Sequence, residues 1–261
     1  APNLYYFCTV HSGMGGQANT PVTNSFTNLD GSIQSNISPN TISKFSIVKW
    51  TATNANGATI GHGLGTTPAI VITKRRDDTG GWQTGGSTID TARGGANSLL
   101  LLNTTAVMDS NSEVYQTFSS TTFQVGVNAY INTNNATMIS YCFKDVQGYS
   151  KFGSYTGTAN ADGAFVYTGF KPRWIMIKGT NIARNWGIND TKRSPINQTQ
   201  DSLYANVNDA ETGSGNYIDF LSNGFKLRDT ALTMNGAYKY IYMAFAENPF
   251  VTSTGVPATA K

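Results

Sequence analysis

The chain is 261 residues long, room for one large or two average domains, and carries 13% charged residues with a net charge of +3. That charge content lies well below the roughly 25% of an ordinary soluble domain, and Asn, Thr, Ser, Gly and Tyr take its place. No apolar run approaches the ~18 residues of a membrane span, no signal-peptide pattern opens the chain, and two cysteines make no disulfide framework. The short basic cluster Lys74, Arg75, Arg76 reads as the solvated end of a strand rather than a nucleic-acid stripe.

In chain order the first feature is "LYYFCTVHSGMGG", residues 4–16. Cys8, His11 and Met14 follow one another as thiolate, imidazole and thioether, the ligand order of a type-1 copper loop. Such a site needs a second imidazole. The chain holds two histidines, so the partner would be His62, far away in another predicted domain. Cys8, His11 and Met14 are therefore candidate metal ligands, but the expectation is no metal and no cofactor. The stretch resembles the terminal strand and ligand loop of a cupredoxin-like domain whose body is missing, as in a trimmed piece of a longer protein. Its strand "NLYYFCTV" is expected to pair with one of the sandwiches or with a neighbouring chain, because a solitary strand leaves backbone groups unpaired.

Residues 17–44 are polar, with few large apolar side chains, and read as a linker or extended arm. From Phe45 onward strands dominate. "TTFQVGV" places Phe123, Val125 and Val127 on one face, and "NGFKLRD" does the same with Phe225 and Leu227. "PAIVITK" and "PRWIMIK" are apolar runs opening at a proline and ending at a lysine. Runs of this kind, bounded by Gly, Asn, Asp and Pro clusters, predict an all-β sandwich or barrel without a three-turn amphipathic helix.

An internal repeat organises this region. Gly57 falls on Gly163, Gly63 on Gly169, Pro68 on Pro172, Lys74 on Lys178, Trp82 on Trp186, Phe123 on Phe225 and Phe143 on Phe245. The unit is about 100 residues, long enough for its own core. The fold class expected is all-β: two tandem, duplicated, jelly-roll-like sandwiches over 45–148 and 149–250, after a cupredoxin-like element at 1–16 and the arm at 17–44, with a tail at 251–261.

The repeat tests single residues. Cys142 lines up with Ala244, so it reads as a small buried side chain and not a reactive thiol. His62 lines up with Thr168, so it reads as a polar residue stabilising a turn beside a glycine. Trp82 and Trp186 are the ligand-binding candidates, as sugar-stacking platforms. Recurring at one place in both units, they are read first as shared packing. No G-x-S-x-G elbow, H-E-x-x-H or phosphate loop occurs, and the carboxylates Asp77, Asp78, Asp109, Asp209 and Glu211 lie in loops. The expectation is a protein without enzymatic activity and without catalytic residues.

"FSIVKWT…GATIGHGLGTTPAIVITKRRD" and "GYSKFGSYTGTANADGAFVYTGFKPRWIMIK" resemble paired modules near the C-termini of tailed-phage virion proteins, notably those of marine cyanobacterial phages. "YIYMAFAENPFVTSTGVPATAK" resembles the closing segment of that family. The resemblance covers residues 45–261. It implies a virion location and a structural role in a tail fibre, tail appendage or capsid decoration, in contact with other virion proteins and a host surface glycan. It carries no catalytic residue onto this chain. A homo-oligomer, with a trimer favoured, is expected, its contacts made by the arm and by the tail after Pro249. Neither nucleic-acid binding nor membrane insertion is expected. The competing class is a carbohydrate-binding β-sandwich module of non-viral origin.

Overall fold

The computed structural model describes residues 4–7, 15–18, 25–213, 215 and 217–249. β1 (Leu4–Phe7) and β2 (Gly15–Ala18) form an antiparallel pair. The chain continues through β3 (Phe26–Asn28), β4 (Ser35–Asn40), β5 (Phe45–Thr51), β6 (Ala58–Gly61), β7 (Ile70–Arg75) and β8 (Gln83–Gly85) to α1 (Ser87–Arg93). Next come β9 (Ser98–Leu101), β10 (Asp109–Ser110), β11 (Tyr115–Phe118), β12 (Thr122–Val125) and β13 (Thr137–Phe143). The second half runs through β14 (Ser150–Thr156), β15 (Phe165–Tyr167), β16 (Pro172–Gly179), β17 (Gly187–Asp190), β18 (Ser202–Tyr204), β19 (Ile218–Leu221), β20 (Gly224–Leu227) and β21 (Lys239–Ala246). The all-β, sandwich-type fold expected from the strand patterns is the fold observed.

Both halves use one strand order. The first large sheet contains β9-β8-β7-β13-β5, and the second is β18-β17-β16-β21-β14. The small sheets are β11-β12-β6 and β19-β20-β15. Every pairing within them is antiparallel.

Each small sheet packs on its own large sheet. In the first half Ile60, Phe123 and Val125 meet Val48, Trp50, Val71, Met138 and Cys142. In the second half Val166, Phe225 and Leu227 meet Ile175, Ile177, Tyr240, Tyr242 and Ala244. A third core joins the halves. Ile70, Ile72, Tyr141 and Phe143 on the far face of the first large sheet pack with Phe152, Met176, Trp186, Ile241 and Met243 of the second. The result is four layers, with the two large sheets in the middle. Their central strands are buried on both faces, which is why they read as unbroken apolar runs instead of alternating ones.

α1 wedges into this seam, burying Ile89 and Ala92. It spans only seven residues and ends at Gly94, whose φ of 84° makes a left-handed cap.

Residues 17–44 depart from the linker expectation. β4 pairs with β5, β3 pairs with β4, and Ile33 and Ile37 enter the first core. Ile33 also bridges Ile60 on the small sheet. The arm therefore closes one open side of the first sandwich, spanning both of its sheets. Its strands β3 and β4 pair within their own chain instead of forming a polar linker. β1 is paired, as expected, but with β2 of its own chain. The tail 250–261 lies outside the described residues.

Among the described residues the second sandwich has no such cover. Ala246 N–H donates to Tyr149 O and Gly157 N–H to Tyr238 O. That alternation turns the odd residues of β14 toward β21 and the even ones outward. Ser150 pairs locally with Val146, and Phe152 N–H donates to Asp145 Oδ1 at 3.2 Å. Among the described residues nothing pairs with the outward groups of Ser154 and Thr156.

Candidate functional site

Trp82 and Trp186 sit at the seam. Each has its backbone N–H held by an asparagine side chain, Trp82 by Asn103 Oδ1 and Trp186 by Asn206 Oδ1, both at 2.8 Å. Trp186 is 1% exposed, and its Nε1 donates to Leu101 O of the other half at 3.0 Å. Trp82 stacks on Tyr141 with ring centroids 6.4 Å apart. Trp186 belongs to the core between the halves, and Trp82 packs against that core half-buried.

His62 is fully buried. Its Nδ1 accepts from Leu64 N–H at 3.2 Å and its Nε2 lies 3.3 Å from Ser119 O. The bond from Leu64 requires a lone pair on Nδ1, so the ring is neutral with its proton on Nε2. Burial lowers its pKa below the ordinary 6.5. The twin Thr168 accepts from Phe170 N–H through Oγ1, likewise two residues on. Both serve the turn.

Cys142 is fully buried in the first core, and burial pushes its thiol far up; Ala244 fills the matching place in the second. That is the environment of an inert thiol.

Cys8, His11 and Met14 lie outside the described residues. Among the described residues no group of three His, Cys, Asp or Glu side chains could hold a metal ion. Asp77 is paired with Arg75 at 2.8 Å and Glu211 with Arg193 at 3.1 Å. The guanidinium of Arg75 holds the Asp77 carboxyl below its usual range.

Two concavities stand out. A shallow groove of about 590 Å³ runs where the arm meets the first large sheet, and Gln34, Asn36, Lys49, Arg76, Asn134 and Asn135 give it a polar lining. A smaller pocket of about 270 Å³ opens at the seam among Phe45, Phe143, Tyr149, Phe152 and Phe245.

A buried asparagine in each half was not foreseen. Asn132 Nδ2 donates to Ala55 O and Gly126 O at 2.9 and 2.6 Å, while its Oδ1 accepts from the N–H groups of Thr53 and Asn54. Asn235 Nδ2 donates to Asn160 O and Asp229 O at 2.8 and 2.6 Å, and its Oδ1 accepts from Thr158 N–H. Each ties the loop after the first strand of its unit to the loop before the last. In the repeat register they miss one another by one place, because Phe123/Phe225 and Phe143/Phe245 set Asn132 against Met234, so the structure and not the alignment pairs them.

No curated protein and no solved structure matches the chain. One family profile does, over residues 18–249, which takes in the arm and both sandwiches and leaves out the stretch that carries Cys8, His11 and Met14. The chain belongs to that family, described as a domain of unknown function, DUF7483.

Proposed function

We propose that the protein is a structural component of a tailed-phage virion, in a tail fibre, tail appendage or capsid decoration. The observation that carries this reading is the third core. Two sandwiches that could be beads on a string are fused face to face through Trp186, Met176, Phe152, Ile70 and Ile72 into one block. A particle surface needs such a body, closely packed and low in charge. The resemblance of residues 45–261 to virion proteins supports the same role. No catalytic residue belongs to this proposal.

Appendage proteins work as closed symmetric assemblies, so a homo-oligomer, with a trimer favoured, is part of the proposal, as are contacts with other virion proteins and a host surface glycan. The experiment is to raise antibodies against the purified chain and label intact, gradient-purified phage particles. Labelling at one defined virion position is the expected result. A chain found only in the soluble fraction of the lysate, and absent from particle proteins by mass spectrometry, overturns the role.

A further inference from the structure

The outer faces of the two small sheets differ in a way that the duplication makes readable. In the first half this face carries Thr59, Gly61, Thr117, Thr122 and Gln124, all small or polar. The arm lies against it. Thr59 exchanges hydrogen bonds with Ser32, and Asn28 occupies the space a side chain at Gly61 would fill. In the second half the twins of Thr59 and Gly61 are Phe165 and Tyr167. Both point outward from β15, with Val166 buried between them, and they are 47% and 65% exposed.

These rings lie against glycines. Gly224 is opposite Tyr167 in the ladder, and a Cβ there would meet the Phe165 ring at 3.0 Å. A Cβ on Gly169 would lie 3.5 Å from the Tyr167 hydroxyl. Each ring thus lies beside a position without a side chain and is about half or more open to solvent. Leu221, opposite Gly224, extends the apolar surface. The rim is polar. Lys226 stands opposite Phe165 and bonds Asp162 at 2.6 Å, and Arg228 bonds Asp162 at 3.3 Å and Asp219 at 3.2 Å. The charges are balanced in pairs.

We infer that this face of the second sandwich is a glycan-binding platform, with Phe165 and Tyr167 stacking on the C–H faces of neutral pyranose rings and Asp162, Lys226 and Arg228 hydrogen-bonding their hydroxyls. Exposed aromatic rings on a sheet face, with paired charges at the rim, suit an uncharged sugar chain better than an anionic one. The strand places the two rings about 7 Å apart along β15, so more than one sugar unit is engaged. The inference rests on the sandwich alone and stands whichever assembly carries the chain.

The test is affinity electrophoresis of the full chain through native gels containing soluble β-glucan, mannan or galactan. Retardation by at least one of them is expected. Tyr167→Ala and Phe165→Thr, the second taking the residue of its twin, should each weaken it about tenfold, and Tyr167→Phe should keep it. Because the replaced rings are exposed, the variants should melt as the parent does. No retardation by any of the three overturns the platform, and so does retardation that both substitutions leave intact. Light scattering supplies the other outcome: an oligomer that Tyr167→Ala dissolves makes this face a protein interface and overturns the glycan reading. Particle labelling is a separate readout, so this inference and the virion role fail independently.

Discussion

Replacing Asn132 with alanine removes two donors and one twofold acceptor from a fully buried position. Four backbone groups lose their partner. Thr53, Asn54 and Ala55 are exposed and can turn to water, whereas Gly126 is buried and its carbonyl is left dry. Counting about 0.5–1 kcal/mol for each bond that water replaces, and about 1–2 kcal/mol for the stranded carbonyl, gives roughly 3 kcal/mol of lost stability. At about 2–4 °C per kcal/mol for a chain of this size, the melting temperature should fall by about 6–12 °C. Asn235→Ala removes the matching bonds in the second sandwich and should cost a similar amount. Because the two sandwiches share a core, the double variant should still unfold in one transition, lowered by about the sum. Urea titration followed by tryptophan fluorescence measures all three. A loss below about 1 kcal/mol at either site would refute the idea that these asparagines hold the loops.

Three other outcomes follow from the same geometry. His62 binds a proton less readily folded than unfolded, so its contribution to stability should be full above pH 6.5 and decline as pH falls below it, by up to about 1.4 kcal/mol per pH unit; His62→Thr, the residue of its twin, should flatten that slope below pH 6.5. Lys178 is buried with its ammonium on the carbonyls of Gly179, Thr105 and Ile182, and burial lowers its pKa from 10.5 to about 8. The unfolded chain then holds more protons between those values, so stability should rise from pH 8 toward pH 10. Above pH 10 buried tyrosines such as Tyr240 and Tyr242, both pushed up to about 12, reverse the trend; Lys178→Met should abolish the rise, and a rise that persists in that variant would discount the lysine. By hydrogen exchange the amides of Ser154 and Thr156 should exchange rapidly and those of Ile47 and Lys49, which face β4, slowly; equal protection would mean that the edge of β14 is covered.

The sandwiches were legible because a duplicated chain carries its own internal control. A cysteine facing an alanine, and a histidine facing a threonine, could each be assigned a structural place from the pair. The arm was not legible. A short strand whose outward positions carry Asn, Ser and Asn shows few apolar residues, and only Ile33 and Ile37 marked its buried face. The seam was half legible. "PAIVITK" and "PRWIMIK" lack alternation because both faces are buried, but periodicity does not say what covers the second face. Packing was the first reading of the tryptophan pair, and the seam is where both rings lie. The exposed rings at Phe165 and Tyr167 were legible too, since the register sets them against Thr59 and Gly61: what the repeats share marks the core, and where they differ marks the surface.

The position of β21 has a mechanical consequence. It is the last strand before the tail, yet it lies inside its sheet, bonded to β14 on one side and β16 on the other. Antiparallel ladder bonds run across the strand. A pull along the axis of β21 therefore loads both ladders in shear, and their bonds must yield together. Among the described residues β3 is the outermost strand on its side of the first large sheet and pairs only with β4. A sideways pull there peels bonds one at a time. Pulled along its axis, the central β21 must break two ladders at once, whereas the edge strand β3 must break one, so the fold resists tension better through β21 than through β3.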